Sequence, residues 1–525
     1  MDYNGEQSPW YSRFSPHLCC LSPALPIRAK GNRASSVKSE RGPGRTDCAR
    51  IEMNLLFRNA NIITSSLTRQ CDMLVEGEKI AEIGQDLPAT DAEVVDCSGL
   101  NLLPGGVEPH AHLALPMFGT VSSDDHYSGH RAAAFGGTTT VLDFTTQSRG
   151  GSLQESIEGW HAKAEGLAAV DYSFHVNVTD FTPSVAAEIS LLPAQGLTTL
   201  KVFTAYNGRL RIADEDIEEV LRIAREHGML VLLHAEDGDE IEALEGSALA
   251  AGHGDPIWHA RTRPAQGEVV AGQRAIALAA DTKAPVYVVH VTTSGLVEQL
   301  RRARAQGVPV MGETCPQYLF FTEDHLMQSD GAKWVCSPPL RSPADNSALW
   351  TAVSDDSIQT VGTDHCPFFF DGTTSIDYEG HPVAIAGKEL GQGDFTLIPN
   401  GIPAIEHRLP LLWTFGVGAG RFSAERFVEL TAVNPAKILG LYPRKGALLP
   451  GSDADIALWD PGKQHTISVR TAHMRTDHDL WEGVELTGFP VRVYLRGRLL
   501  VDGDRWLGSP GGGQFLRRQS GAPVL

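Results

Sequence analysis

Four histidines, a lysine and an aspartate stand in or at the ends of apolar runs in this chain. His110 and His112 close GGVEPHAH, Lys201 lies in TTLKVFTAY, His234 ends MLVLLH, His290 ends PVYVVH and Asp364 follows VGT. Residues i and i+2 of a strand face the same side, so His110 and His112 can converge on one ion. Imidazole nitrogens with a carboxylate and no thiolate are the donors of a hydrolytic divalent-metal centre, suited to Zn2+ and also to Mn2+ or Co2+. A lone histidine is more often a hydrogen-bonded structural residue, but four of them and an aspartate at the ends of separate runs point to one site. Lys201 admits two readings. A buried amine beside cations is driven to its neutral form and can add CO2, giving a carbamate whose two anionic oxygens bridge two ions. Alternatively, it snorkels to the surface or pairs with a carboxylate.

For these residues to meet, the runs that carry them must share one scaffold. Eight β-rich apolar runs fall at about 104–110, 138–144, 172–178, 198–203, 229–234, 286–291, 308–313 and 357–363, most of them separated by helix-period segments. One such segment is DEDIEEVLRIAREHG, opened by acidic residues and ended by His227-Gly228. The alternation predicts a (β/α)8 TIM-like barrel over residues 104–444, with the site at the C-terminal strand ends. Short β-type runs before and after it predict a small β-sandwich domain built from both chain ends, residues 53–103 plus 445–510. Residues 1–52 are rich in Ser, Pro, Gly and Arg without an apolar period and are expected to be a disordered, dispensable extension, with Met53 as an alternative start. Residues 511–525 read as a C-terminal tail, flexible at Gly511 to Gly513.

Composition removes several function classes. With 42% hydrophobic and 21% charged residues among 525, wholesale disorder, collagen-like repeats and long coiled coil are excluded. A net charge of -20 argues against a nucleic-acid or acidic-lipid surface. The 8 cysteines include no CxxC pair, so neither a disulfide framework nor a thiolate zinc site is indicated, and a reducing cytoplasmic setting is expected. No apolar run approaches the ~18 residues of a membrane span. Gly416 to Gly420 lacks the preceding strand of a dinucleotide loop, and Cys366 reads as structural rather than nucleophilic.

The motifs GGVEPHAHL, FGGTTTVLDF, LKVFTAYNG, LLHAEDGDEIE, VYVVHVTTSG, ETCPQYLFFT, KWVCSPPLR, VGTDHCPF, IPNGIPAIEHRLPLL and NPAKILGLYPRKGALLPGSDADIALWDP, in this order, resemble the dihydropyrimidinase/D-hydantoinase branch of the amidohydrolase superfamily over about residues 53–510. The resemblance implies two divalent ions per chain. One would be held by His110, His112, Asp364 and carbamylated Lys201, the other by His234, His290 and the second carbamate oxygen, with a hydroxide between them. It further implies that Asp364 moves the proton, that Tyr206 hydrogen-bonds the developing oxyanion, and that backbone groups at Ser337 and Asn400 hold the imide edge of a cyclic ureide or imide. By position alone, Tyr206 fits a packed structural tyrosine.

The implied reaction opens the ring amide of 5,6-dihydropyrimidines or hydantoins to N-carbamoyl amino acids, in a homo-oligomer, expected to be a tetramer. Residues 394–408 and Phe515, Arg517 and Arg518 are the candidate contacts. Glu108 stands where relatives usually carry Asp, and Ala111 where Thr is common; neither is a ligand position. An allantoinase-like hydrolase of another cyclic ureide is the main alternative, but the apolar run Leu113-Ala114-Leu115-Pro116-Met117-Phe118 lacks the Arg such relatives carry. That run reads instead as a gate for the ring substituent. A non-catalytic dihydropyrimidinase-like scaffold is the other alternative, and the intact ligand set argues against it.

Overall fold

The structure, a computed structural model, describes residues 54–117 and 119–521. The expected disorder of residues 1–52 falls outside them. Eight parallel strands run in chain order: β1 (Gly106–Ala111), β2 (Thr138–Thr146), β3 (Asp171–Asn177), β4 (Thr199–Phe203), β5 (Leu230–His234), β6 (Val286–Val288), β7 (Val310–Thr314) and β8 (Thr360–Val361). This is the TIM-like barrel. Nearly every strand residue is buried, which is why these strands read as continuous apolar runs rather than as alternating ones. The helix Asp214–Glu226 shows how the outer layer forms. Ile217, Val220, Leu221 and Ala224 make one buried stripe, and three acidic residues in the first turn oppose the positive end of the helix dipole. Gly228, at φ 63°, then turns the chain into β5.

Backbone pairing closes β1 against β8 only past the end of β8, where Ala111 bridges His365 and the His112 N–H donates to the His365 carbonyl at 2.8 Å. Buried Arg408 supplies the rest. Its Nη1 donates to the carbonyls of Val107 (3.0 Å) and Val361 (2.9 Å), its Nη2 donates to Thr138 Oγ1 (3.2 Å), and its Nε lies 3.1 Å from Glu108 Oε2. The other oxygen of Glu108 accepts from the backbone N–H of His110 (3.0 Å) and Thr363 (2.9 Å). Burial lifts this carboxyl to about 7 against the pull of Arg408. Glu108 thus braces the strand that carries His110 and leads into His112.

The two chain ends meet in one nine-stranded sheet. From one edge its order is Arg505–Trp506, Arg498–Asp502, Glu485–Leu495, Ile456–Thr466, Asn101–Pro104, Asn54–Ile63, Thr68–Glu76 and Lys79–Gly84, with Ala92–Asp96 also paired to Asn54–Ile63. The junction is antiparallel, with Leu102 opposite Leu458.

The tail corrects an expectation. Gly513 donates to the Ala168 carbonyl at 2.9 Å, Leu516 to Tyr172 at 2.7 Å, Arg518 to Gly196 at 2.9 Å and Gly521 to Gly228 at 2.9 Å, so the segment crosses the N-terminal face of the barrel. A Cβ on residue 513 would lie 1.9 Å from the Val170 carbonyl oxygen, so this glycine serves a close approach rather than flexibility. Arg518 is 4% exposed, and its guanidinium donates to Ser173 Oγ (3.0 Å) and Thr199 Oγ1 (2.8 Å). Arg518 and Arg408 are therefore spent inside their own barrel and drop out as subunit contacts. Among the described residues, no helix is long and apolar enough to cross a membrane.

Candidate active site

The six expected ligands lie at one mouth of the barrel. His110 is the penultimate residue of β1 and His112 follows it; Lys201 lies in β4 and His234 ends β5; His290 stands two residues beyond β6 and Asp364 three beyond β8. His110 Nε2 and His112 Nε2 each lie 3.1 Å from Asp364 Oδ1, and one ligand atom from each of the three residues falls within 4.8 Å of the others. His234 Nδ1 faces His290 Nε2 at 3.0 Å. The ring centres of His110 and His290 are 5.5 Å apart, so the two groups form one cluster. His290, Asp364 and Tyr206 hold φ of 41°, 52° and 66°, a left-handed conformation that costs a non-glycine residue free energy.

This cluster suits a cation. Burial lowers the pKa of His112 and His234, and that of His290 much further, leaving neutral imidazoles, the form that binds metal. The Nδ1 atoms of His112 and His290 are buried without a partner among the described residues. His110 is the exception. Burial opposes its charge, but Asp364 and Glu313 prevail and lift it to about 9, so positive charge is called for between those carboxylates. Burial likewise opposes the charge on Asp364, yet His110 and His112 hold its carboxyl far below the usual range.

Lys201 is buried at the same barrel mouth. At 2% exposure it does not snorkel, and among the described residues it has no ion pair; its Nζ lies 5.3 Å from the Phe144 ring centre and 5.1 Å from that of Phe203. Burial pulls its pKa down to about 8, against the attraction of Asp364 and Glu313.

Two carboxylates behind the cluster are not among the expected site residues. Glu313, near the end of β7, accepts from His110 Nδ1 (2.7 Å), Tyr287 Oη (2.9 Å) and the His290 N–H (3.3 Å). Glu236 lies 2.8 Å from His234 Nε2. Each orients an imidazole through its rear nitrogen, as partners of metal-binding histidines do. The available signal was an acid at the end of an apolar run, in VMGETC and in LLHAE.

The expected substrate residues converge too. The Tyr206 and His234 rings are 5.3 Å apart. Burial and the charge of Glu236 raise this phenol, so it stays a proton donor. Asn400 Nδ2 donates to Ser337 Oγ at 3.0 Å, and His259 Nε2 lies 3.3 Å from the same oxygen. Past His112 the chain forms a small hairpin, Pro116–Met117 against Thr120–Val121, with Met117 packed on the large core; Phe118 is outside the described residues. Cys366 is free and buried, and burial together with Asp364 pushes its thiol well up, which excludes a resting thiolate.

The amidohydrolase family model matches residues 101–500. The chain belongs to the amidohydrolase family. Membership implies a metal centre, which the His110, His112 and Asp364 group fits. Among curated amidohydrolase relatives, the D-hydantoinase of Geobacillus stearothermophilus is 42% identical over 469 residues, 89% of this chain and 97% of its own. The D-hydantoinase of Streptomyces coelicolor is also 42% identical, over 470 residues, 88% of this chain and 97% of its own. The crystal structure of dihydropyrimidinase from Brevibacillus agri superposes with a TM-score of 0.86 at 46% identity, covering 90% of this chain and 100% of that one.

Proposed function

We propose that this amidohydrolase opens the ring amide of 5,6-dihydropyrimidines or hydantoins to N-carbamoyl amino acids, using two divalent ions, Zn2+ by preference, with Mn2+ or Co2+ also suited. The observation that carries the reading is the meeting of four imidazoles, Asp364 and an unpaired buried lysine at one barrel mouth, in a chain similar to enzymes named for hydantoins and dihydropyrimidines. His110, His112 and Asp364 would hold one ion, and His234 and His290 the other. The neutral Lys201 amine would add to CO2, forming an N–C bond and releasing one proton to water, and the carbamate so formed would supply anionic oxygens for holding the ions. When bound, such ions polarise the scissile carbonyl and acidify water toward neutrality.

The protein groups do the rest. Asp364, kept ionised by its histidine neighbours, accepts a proton from the attacking water and delivers it to the ring nitrogen as the C–N bond breaks. Tyr206 donates its hydroxyl proton in a hydrogen bond to the oxygen on which charge develops. Backbone at Ser337 and Asn400 grips the imide edge, which turns the substituted ring carbon toward residues 113–118. A panel of dihydrouracil, dihydrothymine, hydantoin and phenylhydantoin, with allantoin as the contrast and run alongside metal analysis, tests the reading. Turnover of at least one of the first four with about two ions per chain supports it. Turnover of allantoin alone favours the allantoinase-like alternative, and a metal-free, inert protein favours the scaffold.

Three further outcomes are expected. Tyr206→Phe should lower kcat by about 10²–10³-fold at unchanged metal content, as for loss of one oxyanion donor; an unchanged kcat would make the residue a packing tyrosine. Met117→Ala should change the ratio of kcat/KM for phenylhydantoin against dihydrouracil by about tenfold. Equal falls for both substrates would assign Met117 to the fold. Light scattering at micromolar concentration should report a homotetramer, and a monomer would contradict that assembly.

A further inference from the structure

A second lysine is buried near the site and has no part in the chemistry above. Lys388 opens the short 3-10 helix Lys388–Gly391 and is 2% exposed. Among the described residues it has no ion pair. Its Nζ donates instead to two backbone carbonyls, Val335 O at 2.9 Å and Pro399 O at 3.0 Å. Burial pulls its pKa down to about 7. Desolvating an ammonium for two carbonyl bonds is a poor exchange if packing is all that is required, because an apolar side chain of similar length fills the same space at less cost.

What the two carbonyls share is their place in the chain. Val335 lies two residues before Ser337, and Pro399 immediately precedes Asn400. Pro399 C=O and Asn400 N–H belong to one planar trans peptide group, so they point in opposite directions. Anchoring the carbonyl on Lys388 therefore aims the Asn400 N–H away from Lys388. Val335 O also accepts from the Gly401 N–H at 3.0 Å, so the segments around 335 and 400 are tied to each other and to a single ammonium nitrogen. The side chains repeat the link, with Asn400 Nδ2 donating to Ser337 Oγ.

We propose that Lys388 is a positioning residue for substrate binding, setting the direction of the backbone groups at Ser337 and Asn400 that grip the imide edge of the ring. The inference rests on the reading of those two positions as the imide-binding edge. It separates Lys388 from Lys201: Lys201 serves the ions at the reacting carbonyl, and Lys388 orients the backbone that meets the adjoining imide edge.

The test crosses one change in the protein with one in the substrate. KM is measured for dihydrouracil and for its analogue methylated at the imide nitrogen, or the inhibition constant where that analogue is not turned over. Both are measured with the full-length metal-loaded wild type and with Lys388→Met. In the wild type, methylation should weaken binding by about tenfold or more, because it removes the hydrogen bond on that edge. In Lys388→Met, KM for dihydrouracil should rise by about tenfold with kcat changed much less, and the methylation penalty should shrink toward unity. Metal content should not change.

If methylation costs the wild type nothing, the imide-edge reading fails and the role of Lys388 fails with it. A wild-type penalty that persists in full in Lys388→Met overturns the positioning role alone. Buried carbonyls tolerate a missing partner better than N–H groups, so the variant should fold. If it does not, Lys388→Gln, which keeps one donor, is judged by the same ratio: a partly reduced penalty supports the role and a full one overturns it.

Discussion

Lys201→Ala is expected to lower kcat/KM by about 10³-fold or more, several kcal/mol of charge stabilisation at 1.36 kcal/mol per decade. Under the proposed reading, a carbamate on this residue would supply anionic oxygens for both ions. Its Nζ lies over aromatic rings beside both histidine groups, and its pKa near 8 makes the neutral amine available close to physiological pH. The free amine is the form that adds CO2, so carbamylation of metal-free protein should speed up as pH rises through about 8. Acetate or propionate should restore part of the activity and metal content of Lys201→Ala by entering the vacated space as surrogate carboxylates. An experimental map showing an unmodified Lys201 beside two bound ions would sink the carbamate.

Asp364→Asn should be comparably damaging. Removal of a positioned proton-transfer group costs about 10²–10⁴-fold, and the same substitution weakens the hold on one ion. The two effects separate by titration with excess metal: refilling the site should restore metal content while kcat stays low. Full recovery of kcat would reduce Asp364 to a ligand and require another group to move the proton. His365 is no substitute, because its Nε2 is 3.0 Å from Asp124 and its Nδ1 accepts from the Ala404 N–H.

The candidate ligand positions are legible in the sequence because each stands in or at the end of a run that is buried on both faces, and such runs look alike wherever they occur. The places where strands come out shorter than predicted are instructive. Residues 286–291 were expected as strand, but β6 stops at Val288; residues 357–363 were expected, but β8 is only Thr360–Val361. In both cases the chain leaves the ladder just before a candidate ligand with left-handed φ, His290 or Asp364, so local strand preference gives way to aiming a side chain. Glu313 and Glu236 stayed hidden for another reason. Their partners, His110 and His234, are identified only in space, and an acid at the end of a strand has no periodicity to reveal it. The tail was misread because Gly511 to Gly513 has a linker's composition, whereas Gly513 answers to a carbonyl more than 340 positions earlier in the chain.

The nine-stranded sheet also sets a timetable for synthesis. Its first five strands are complete once Pro104 has been made, yet the strand Asn101–Pro104 pairs on one side with Ile456–Thr466, which emerges some 350 residues later. At about 5–20 residues per second, the ribosome takes roughly 20–70 s to cover that interval. Throughout it, the nascent chain carries an unsatisfied strand edge of sequence NLLP, the kind of edge that recruits other chains. Yield of folded protein should therefore depend on translation rate and on holdase chaperones more than on the intrinsic stability of the finished barrel.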